Sequence, residues 1–480
     1  MAKTRKFYIT TAIDYVNNKP HVGHAYEKVL ADAIARWHRQ KKEKVWFLTG
    51  TDENAQKNEQ AAKQAGVPVK EFVDKNSKLF IELCKKLNIS NDDFIRTTEQ
   101  RHVKKVQEFF KEIMEKGDIY KGKYEGLYCI GCEEYKTEKD LVDGKCPEHL
   151  KEPIKMSEDA YFFKLSKYEG RILQLAKSKE FIIPEEKRKE IIARIESEGL
   201  KDLCVSRTGL TWGIESPIDS KYTVYVWLDA LSNYVTALQD KEAEFWPADV
   251  HVIGKGINWF HTVIWPAILL ALGYELPKTV LVHGYLNLSG QKMSKSLGNV
   301  VDPLQLLEKY QTDSIRYSLL RCSVFEDSDY SEEILIKRNN DELANKLGNL
   351  ISRVSTLAEK YGIEKIENKL IKKLKLDEIK TFLDNYEVDK ALNLIFEFID
   401  NCNLFIQDKK PWESATENKS KILYELADSI KAFSILLFPF IPETAEKIAS
   451  VFNFKISLKE IDKPLKESKI KKSEILFQKI

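Results

Sequence analysis

The sequence has no long hydrophobic run. Its longest apolar stretch, residues 263–272, is interrupted by Trp265 and Pro266, and it falls well short of the roughly 18 residues that cross a membrane. A short basic segment at the N-terminus leads directly into residues 7–12, without the apolar core and small-residue cleavage site of a secretory signal. We therefore expect no membrane association and no export, and we predict that the apolar stretch is a buried helix.

An excess of charge of one sign is also missing. The 76 Lys and Arg residues are balanced by 74 Asp and Glu residues, which gives a formal net charge of +2. No overall field attracts nucleic acid, so any contact with RNA has to come from local basic surfaces. Repeats of fixed period and low-complexity tracts are absent as well, and the 480 residues are enough for roughly three or four domains.

Cysteine is scarce, and the sequence has only one cluster of it. Of the seven cysteines, Cys129, Cys132 and Cys146 lie close together and the rest are scattered, which favours a reducing, cytoplasmic environment over a disulfide framework. With His149, the cluster forms two short turns that offer three thiolates and one imidazole to a tetrahedral zinc ion. Four protein ligands close such a site, so the zinc is expected to be structural. The alternative is a redox-active CxxC pair, which leaves the second turn unexplained.

The first part of the chain alternates strand-like and helix-like patterns. Residues 7–12 and 45–48 read as strands, and between them apolar side chains recur at three- and four-residue steps from about His21, as on a helix. From 117 to 222, glycines, lysines and the cysteine cluster break this rhythm, which indicates an insertion.

The alternation resumes after the insertion. Strands are predicted at 222–227, 251–253 and 279–282, with one helix from the end of the first strand to about residue 239 and another over 257–272. Beyond about residue 341, long amphipathic segments are typical of a helical bundle. The pattern predicts an α/β fold: a Rossmann-type parallel sheet interrupted by a zinc-knuckle insertion and followed by a C-terminal α-helical bundle.

Residues 21–24 read His-Val-Gly-His and lie between the first predicted strand and the first predicted helix. Doubly wound sheets bind ligands at this edge, where a glycine admits a nucleotide to the backbone and a helix N-terminus attracts phosphate. His21 and His24 are three residues apart and can face the same phosphate oxygens. The alternative is a chance pair of histidines at a helix start, so a partner motif is needed.

That partner is the segment 292–296, which reads Lys-Met-Ser-Lys-Ser. Lys292 and Lys295 place two ammonium groups on a polar loop. Such a loop suits a reaction in which charge accumulates on a leaving pyrophosphate, because it can close on the triphosphate as that charge develops. In isolation the segment could equally be a solvated surface loop.

Together the two motifs resemble the HIGH-like and KMSKS signatures of the class I aminoacyl-tRNA synthetases, and the resemblance covers essentially the whole chain. Further segments resemble the methionyl-tRNA synthetase family within that class: residues 49–53 (Thr-Gly-Thr-Asp-Glu), 226–230 (Val-Trp-Leu-Asp-Ala), 260–265 (Phe-His-Thr-Val-Ile-Trp) and 348–353 (Gly-Asn-Leu-Ile-Ser-Arg). The predicted domains are then the first half of the Rossmann catalytic domain (1–116), the inserted connective domain with the zinc knuckle (117–222), the second half of the catalytic domain (223–290), the KMSKS loop and stem-contact region (291–340) and the α-helical anticodon-binding domain (341–480).

The resemblance implies ATP-dependent ligation of L-methionine to tRNA(Met) through methionyl-adenylate, with Mg²⁺ on the phosphates of ATP. Its implied catalytic residues are His21, His24, Lys292 and Lys295. Its implied ATP-binding residues are His21, Gly23, His24, Glu27, Gly254, Lys292 and Lys295. A thioether suits aromatic walls and an ammonium needs a carboxylate. The implied methionine site provides both: Ala12, Ile13, Tyr15, Asp52, Trp227, Ala230, Leu231, Tyr234, Ile257 and His261.

The resemblance also implies that Asn349, Arg353 and Trp412 bind the anticodon, since single-stranded RNA bases are read by stacking and by hydrogen bonds to their edges. By itself the Asn/Arg pair is equally compatible with a solvated helix face. The sequence ends directly after the helical region, without the tRNA-binding barrel that dimerises some relatives, so we expect a monomer.

Two positions depart from the family's pattern. Gly256 stands where the family usually has an aspartate near the ribose of ATP, and Asn54 and Ala55 stand where many relatives have His-Gly. Two rival functions follow from the sequence. A synthetase for another apolar amino acid is disfavoured by the pocket aromatics and by an insertion too short for an editing domain. A non-catalytic tRNA-binding paralogue would usually lose one of the two motifs.

Overall fold

The structure is a computed structural model that describes residues 5–136, 138–148, 150–208, 210–288, 291–292, 301–466 and 469–480. Among the residues predicted to be functional, His149 and Lys295 lie outside these ranges, and only the backbone of Lys292 is described. Within the described part of the chain, no helix is long and apolar enough to cross a membrane.

Strands and helices alternate from residue 6 to residue 115, as the spacing of apolar residues predicts. Gly66 ends the second helix, because its φ of 68° is a left-handed conformation that glycine adopts without strain. The elements are β1 (Lys6–Tyr15), α1 (Val22–Gln40), β2 (Lys44–Asp52), α2 (Gln56–Ala65), α3 (Val69–Lys86), β3 (Asp93–Arg96) and α4 (Gln100–Glu115).

The region predicted as an insertion is mainly an antiparallel sheet. Its elements are β4 (Ile119–Cys129), β5 (Glu134–Lys136), β6 (Ile154–Phe163), α5 (Glu169–Ala176), β7 (Ile182–Ile183), α6 (Glu185–Glu198), β8 (Leu203–Cys204), β9 (Ser206–Thr208) and β10 (Tyr222–Val224). Strands β5, β4, β6 and β8 form one sheet in that order, and β9 pairs with β10. The paired strands β4 and β6 carry the cysteine cluster at their far end, where β4 finishes at Cys129.

The second half of the α/β region differs from the prediction at its start. Residues 222–227 do not form one strand: β10 stops at Val224, pairs with β9 outside the parallel sheet, and is followed by a helix from Val226. The helix predicted to follow this strand is present, but it begins earlier, because the apolar pair Val226 and Trp227 reads as the end of a strand as easily as the start of a buried helix. The elements are α7 (Val226–Thr236), α8 (Glu242–Phe245), β11 (Val250–Gly254), a π-helix (Phe260–Ile264), α9 (Trp265–Leu272), β12 (Thr279–His283), β13 (Leu286–Leu288) and β14 (Gln291–Lys292).

The described remainder of the chain is mainly helical, and beyond about residue 341 this was predicted. Its elements are α10 (Pro303–Lys309), α11 (Thr312–Leu320), β15 (Ser328–Asp329), α12 (Glu332–Arg338), a π-helix (Asn339–Gly348), α13 (Asn349–Tyr361), α14 (Leu376–Asp384), α15 (Val388–Lys409), α16 (Lys419–Leu437) and α17 (Pro442–Phe452).

Six parallel strands form the central sheet, in the order β3, β2, β1, β11, β12, β7. Strand β1 pairs with β2 on one side and with β11 on the other, where Ile9 faces Val250 and Thr11 faces Val252. Because all six strands run in the same direction, their carboxyl ends meet at one edge. The outermost strand, β7, comes from within the residues predicted as the insertion, so that segment also extends the parallel sheet.

Alternate residues of β1 enter two different cores. Phe7 and Ile9 belong to a core shared by α1 and the helices from α11 to α17, which joins the α/β region to the helical region. Tyr8 and Ala12 belong to a second core under α4, α7 and α9. The alternation is the period-two pattern of a strand covered on both faces.

The buried side chain of Arg316 connects α11 to the α/β region and to the segment before α17. The guanidinium of Arg316, on α11, donates to the carbonyl oxygens of Phe440 at 2.9 Å and of Leu87 and Pro439 at 3.0 Å. It also pairs with Asp32 of α1 at 2.7 Å, and both side chains are completely buried. An arginine provides five donors in a rigid fork, so one side chain can satisfy acceptors from several elements at once.

We expect Arg316→Met to destabilise the protein by about 3 kcal/mol or more, because it leaves buried carbonyls and part of the Asp32 charge without a partner. Urea unfolding followed by circular dichroism measures the loss. The control is Lys309→Met, which breaks the exposed Lys309–Glu332 pair (3.0 Å) and should cost less than about 1 kcal/mol. Equal unfolding midpoints for the two variants would contradict the role assigned to Arg316.

Candidate active site

A cavity of about 300 Å³ lies at the carboxyl edge of the central sheet. The last residues of four strands line it: Tyr15 of β1, Asp52 of β2, Gly254 of β11 and His283 of β12. This is the edge at which open parallel sheets bind their ligands, because helix N-termini and strand ends converge there.

All the residues predicted to contact methionine line this cavity: Ala12, Ile13, Tyr15, Asp52, Trp227, Ala230, Leu231, Tyr234, Ile257 and His261. Of the residues predicted to bind ATP, the wall includes His21, Gly23, His24, Glu27 and Gly254. Lys292 lies on β14, where its backbone pairs with Asn287 of β13, and Lys295 is outside the described residues.

Several wall residues were not predicted as site residues: Asp14, Asn17, Tyr26, Gly256, His283, Gly284, Tyr285 and Leu286. For those from 283 to 286 a signal was available. They follow a predicted strand directly, and the residues that follow a parallel strand reach the same ligand edge.

The two motif histidines cap the N-terminus of α1. Nδ1 of His21 accepts from the Gly23 N–H at 3.1 Å, and Nδ1 of His24 accepts from the His21 N–H at 3.0 Å. The rings stack with their centroids 3.6 Å apart. When Nδ1 accepts, the proton of a neutral imidazole lies on Nε2, so each ring has a donor of the kind that phosphate oxygens accept.

Gly23 is required by this cap. A β-carbon at that position would lie 2.9 Å from Cε1 and 3.0 Å from Nδ1 of His21, closer than side-chain carbons pack. The absence of a side chain at Gly23 therefore leaves the space that the His21 ring occupies over the N-terminus of the helix. Together the helix N-terminus and the two ring donors favour an anion.

A buried ion pair supports the cap from below. Lys28, completely buried on α1, forms a short hydrogen bond to the carboxylate of Asp14 at the end of β1. Nε2 of His24 lies 3.8 Å from the other oxygen of Asp14. The pair holds α1 against β1 and keeps a charge-compensated carboxylate beside the histidines.

Asp52 is a buried carboxylate that lacks a full set of partners. It is only 2% exposed, and within the described part of the chain its Oδ1 has no hydrogen-bond partner. Burial, together with repulsion from Asp229, raises the pKa of Asp52 well above its usual range, although Lys57 opposes that shift. An unpaired buried carboxylate is costly, and a cationic ligand in the cavity would remove that cost.

A second buried carboxylate, Asp229, lies behind Asp52. It accepts from Nε2 of His102 at 2.6 Å and from the side-chain amide of Asn54 at 2.8 Å. Asn54 also donates to the carbonyl of Thr97 at 3.2 Å. The departure from the family's pattern at position 54 therefore has a role here, because the asparagine amide holds Asp229 in place.

Aromatic side chains form the wall next to Asp52. Nδ1 of His261 donates to the carbonyl of Ile257 at 3.0 Å, so Nε2 accepts the hydroxyl proton of Tyr234 at 2.7 Å. Burial lowers the pKa of His261 to about 4, which keeps its imidazole neutral at pH 7. Trp227 stacks on Phe260 with ring centroids 3.7 Å apart. The wall is apolar, polarisable and uncharged, as a thioether chain requires.

Three thiols converge at the end of the insertion. The sulfur atoms of Cys129, Cys132 and Cys146 all lie within 4.8 Å of one another, and Cys132 is 3.5 Å from Cys146. Thiolates around a tetrahedral zinc ion lie roughly 3.8 Å apart, so the three residues fit such an ion. The predicted fourth ligand, His149, lies outside the described residues.

This knuckle touches the cavity wall through its backbone. Nζ of Lys57 donates to the carbonyl of Gly131 at 2.8 Å and lies 3.4 Å from the centre of the Tyr15 ring. The hydroxyl of Tyr225 donates to the carbonyl of Glu133 at 2.6 Å. The first turn of the knuckle and the residue after it thus hold Lys57, which covers Tyr15, and Tyr225, which precedes α7.

The three residues predicted to bind the anticodon are exposed on the helical region. On α13, Asn349 and Arg353 are one turn apart, and Trp412, 41% exposed, follows α15.

Side-chain contacts show how these helices are oriented. Arg321 contacts both Glu342 and Asn393, and Lys346 pairs with Asp400 at 2.8 Å. Residue numbers increase in the same direction along both helices, from Glu342 to Lys346 and from Asn393 to Asp400. The π-helix that leads into α13 is therefore parallel to α15. They carry the three predicted anticodon residues toward the same end of the bundle.

Comparison with known proteins identifies the family to which the chain belongs. The family described as "tRNA synthetases class I (M)" matches residues 7–155 and 139–355, and the family described as "Anticodon-binding domain of tRNA ligase" matches residues 367–480. The chain is therefore a class I aminoacyl-tRNA synthetase.

Its similarity to individual proteins is more specific. Methionine–tRNA ligase of Clostridium perfringens is 44% identical over 505 residues, which cover 99% of this chain and 78% of that protein. The enzyme of the same name from Caldanaerobacter subterraneus is 44% identical over 509 residues, 100% of this chain and 79% of that protein. Mycobacterium tuberculosis methionyl-tRNA synthetase, solved in complex with methionyl-adenylate, superimposes with a TM-score of 0.94 at 36% identity, covering 99% of this chain and 100% of that one. The chain belongs to the methionyl-tRNA synthetase family.

The raised pKa of Asp52 predicts a proton linkage. If methionine's ammonium pairs with Asp52, binding favours the charged carboxylate, so the pKa falls on binding and a proton leaves. Methionine should therefore bind more weakly as the pH falls through the raised pKa of Asp52, and binding at a pH below that pKa should release a proton. Calorimetry in two buffers of different ionisation enthalpy measures the release. Asp52→Asn is the control, since it should bind weakly at every pH; wild-type binding without proton release would contradict the assignment.

The thiol cluster predicts bound zinc. We expect protein purified without chelators to contain about one zinc ion per chain, measured by elemental analysis. Cys132→Ser should lose most of that zinc, because a serine hydroxyl is a poor ligand for it. Cys204→Ser is the matched control, since Cys204 is buried outside the cluster. Zinc retained equally by both variants would disprove the assignment.

Proposed function

We propose that the protein ligates L-methionine to tRNA(Met) in two steps, for translation initiation and elongation. An oxygen of the methionine carboxylate attacks the α-phosphorus of ATP, and the bond to the bridging β-oxygen breaks to release pyrophosphate. The 2′-hydroxyl oxygen of the terminal tRNA ribose then attacks the acyl carbon of methionyl-adenylate, and AMP leaves. Neither step needs a protein nucleophile, so positioning and charge stabilisation carry the catalysis.

The observation that carries this proposal is the arrangement of charge around one cavity. Asp52, with an oxygen that lacks a partner among the described residues, lies beside an aromatic wall. The helix cap of His21 and His24 borders the same cavity. A ligand with an ammonium, a thioether chain and phosphates matches all three features, and methionyl-adenylate has them all.

Residue roles follow from this placement. Asp52 binds the ammonium, and the aromatic wall binds the side chain. His21 and His24 donate to phosphate oxygens from the N-terminus of α1. Lys292 and Lys295 stabilise the leaving pyrophosphate. Magnesium, when bound to ATP, neutralises charge on the phosphates.

The rest of the chain serves the RNA. Asn349, Arg353 and Trp412 bind the anticodon by hydrogen bonding and stacking, which their exposure at one end of the bundle supports. The knuckle holds a structural zinc ion through its three cysteines and His149. The protein acts in the cytoplasm as a monomer, which sedimentation at micromolar concentration would test.

Exchange of pyrophosphate into ATP tests the first step. We expect exchange that depends on methionine, and a loss of roughly 100-fold or more in Lys295→Ala, because one stabilising charge leaves the transition state. The control is Lys447→Ala, which removes an exposed lysine from α17 and should leave the rate unchanged.

Two results would overturn the assignment. Exchange stimulated by leucine or cysteine instead of methionine would indicate a different amino acid. Binding of tRNA without any exchange would indicate a non-catalytic RNA-binding protein.

A further inference from the structure

Position 256 has no room for a side chain of its own. A β-carbon built on Gly256 would lie 2.2 Å from the hydroxyl oxygen of Tyr285, far inside van der Waals contact. The same point lies 3.6 Å from Oε1 of Glu148, which comes from the turn after Cys146. The hydroxyl of Tyr285, which lies between β12 and β13, therefore occupies the space beside residue 256, and the carboxylate of Glu148 is close by.

Tyr285 is held in this place from its other side. Its backbone N–H donates to Oδ1 of Asp327 at 2.9 Å, and both oxygens of Asp327 accept from Lys255, at 2.7 and 2.8 Å. The Lys255 ammonium lies 4.7 Å from the centre of the Tyr285 ring. The backbone hydrogen bond and the ammonium over the ring both restrain Tyr285. We therefore do not expect the ring to move aside for a side chain at position 256.

The same part of the cavity wall includes Glu27. Its Oε2 pairs with Nε2 of His283 at 3.1 Å, and its Oε1 is buried with no hydrogen-bond partner among the described residues. An acceptor of this kind needs a donor from a ligand, and its negative charge excludes phosphate. Two neighbouring hydroxyl groups of a sugar suit a wall made of a carboxylate acceptor and a phenol that can both donate and accept.

We infer that the Tyr285 hydroxyl, which packs against Gly256, binds a ribose hydroxyl of ATP. This contact lets the enzyme select ribonucleotides. Gly256 is required because any side chain there would occupy the position of the Tyr285 hydroxyl. The inference rests on the proposed function, which puts ATP in this cavity with its phosphates at the cap of α1. Glu27 and Tyr285 then both face the sugar, and Gly254 and Gly256, which have no side chains, let the backbone approach it closely.

The first test replaces the hydroxyl alone. Tyr285→Phe should raise KM for ATP by roughly tenfold, the effect of one lost hydrogen bond to a ligand, and leave KM for methionine unchanged. The preference for ATP over 2′-deoxy-ATP or 3′-deoxy-ATP in methionine-dependent exchange should fall for at least one analogue, because the discriminating contact is gone. Tyr361→Phe, which removes a hydroxyl from α13, is the control and should change none of these values.

The second test asks whether the two residues form a matched pair. Gly256→Ala should weaken ATP binding strongly when Tyr285 is present, because the new methyl group displaces the hydroxyl. In Tyr285→Phe the nearest ring atom, Cζ, would be 3.5 Å from that methyl group, an ordinary contact. Gly256→Ala should therefore add little to the ATP KM of Tyr285→Phe, and the two effects should be clearly non-additive.

The outcomes separate the inference from the proposed function. No methionine-dependent exchange in the wild-type protein would overturn the proposed function itself. Normal wild-type exchange, with ATP KM and both analogue preferences unchanged in Tyr285→Phe, would overturn only the role of Tyr285. An equal effect of Gly256→Ala with and without the hydroxyl would overturn the pairing. Circular dichroism and unfolding midpoints equal to the wild type ensure that the variants are compared as folded proteins.

Discussion

The pairing of β1 with β11 is the constraint on which the site depends. These strands belong to opposite sides of the insertion, and the buried hydrogen bond from the N–H of Tyr8 to the carboxylate of Asp249 joins residues 241 positions apart. Closing so long a loop costs entropy, which burial of the sheet on both faces offsets. Only this pairing brings Asp52, at the end of β2, to the same edge as Gly254, at the end of β11. Without it, the histidine cap and the aromatic wall would belong to separate structures.

Charge in the cavity is arranged in complementary regions rather than as one field. The N-terminus of α1, with its two imidazole donors, attracts an anion, while the buried carboxylate of Asp52 attracts a cation. Lys28 compensates the charge of Asp14 inside the protein, so that carboxylate can stay close to the two histidines of the helix cap. A chain whose overall charge is nearly zero can therefore bind a ligand that carries both signs, because each sign is matched locally.

The insertion is part of the active site and not an accessory to it. Its knuckle loop accepts a hydrogen bond from Lys57, which lies over the ring of Tyr15, and another from Tyr225, next to α7. Its second turn brings Glu148 to Gly256. The parts of the cavity wall around Tyr15 and around Gly256 thus share one support, and a metal ion that stiffens the knuckle would stiffen both.

Local patterns in the sequence were enough to predict the alternating fold and the helical end, and the family resemblance supplied most of the predicted site residues, which the structure brings to one cavity. The cap formed by His21 and His24 spans four residues, so the local sequence is enough to determine its geometry. Long-range contacts could not be predicted in the same way, because periodicity reports that a face is buried and not what buries it. Only the tertiary structure decided that residues 226 and 227 begin a fully buried helix, that β7 extends the parallel sheet, and that Tyr285 fills the place left by Gly256.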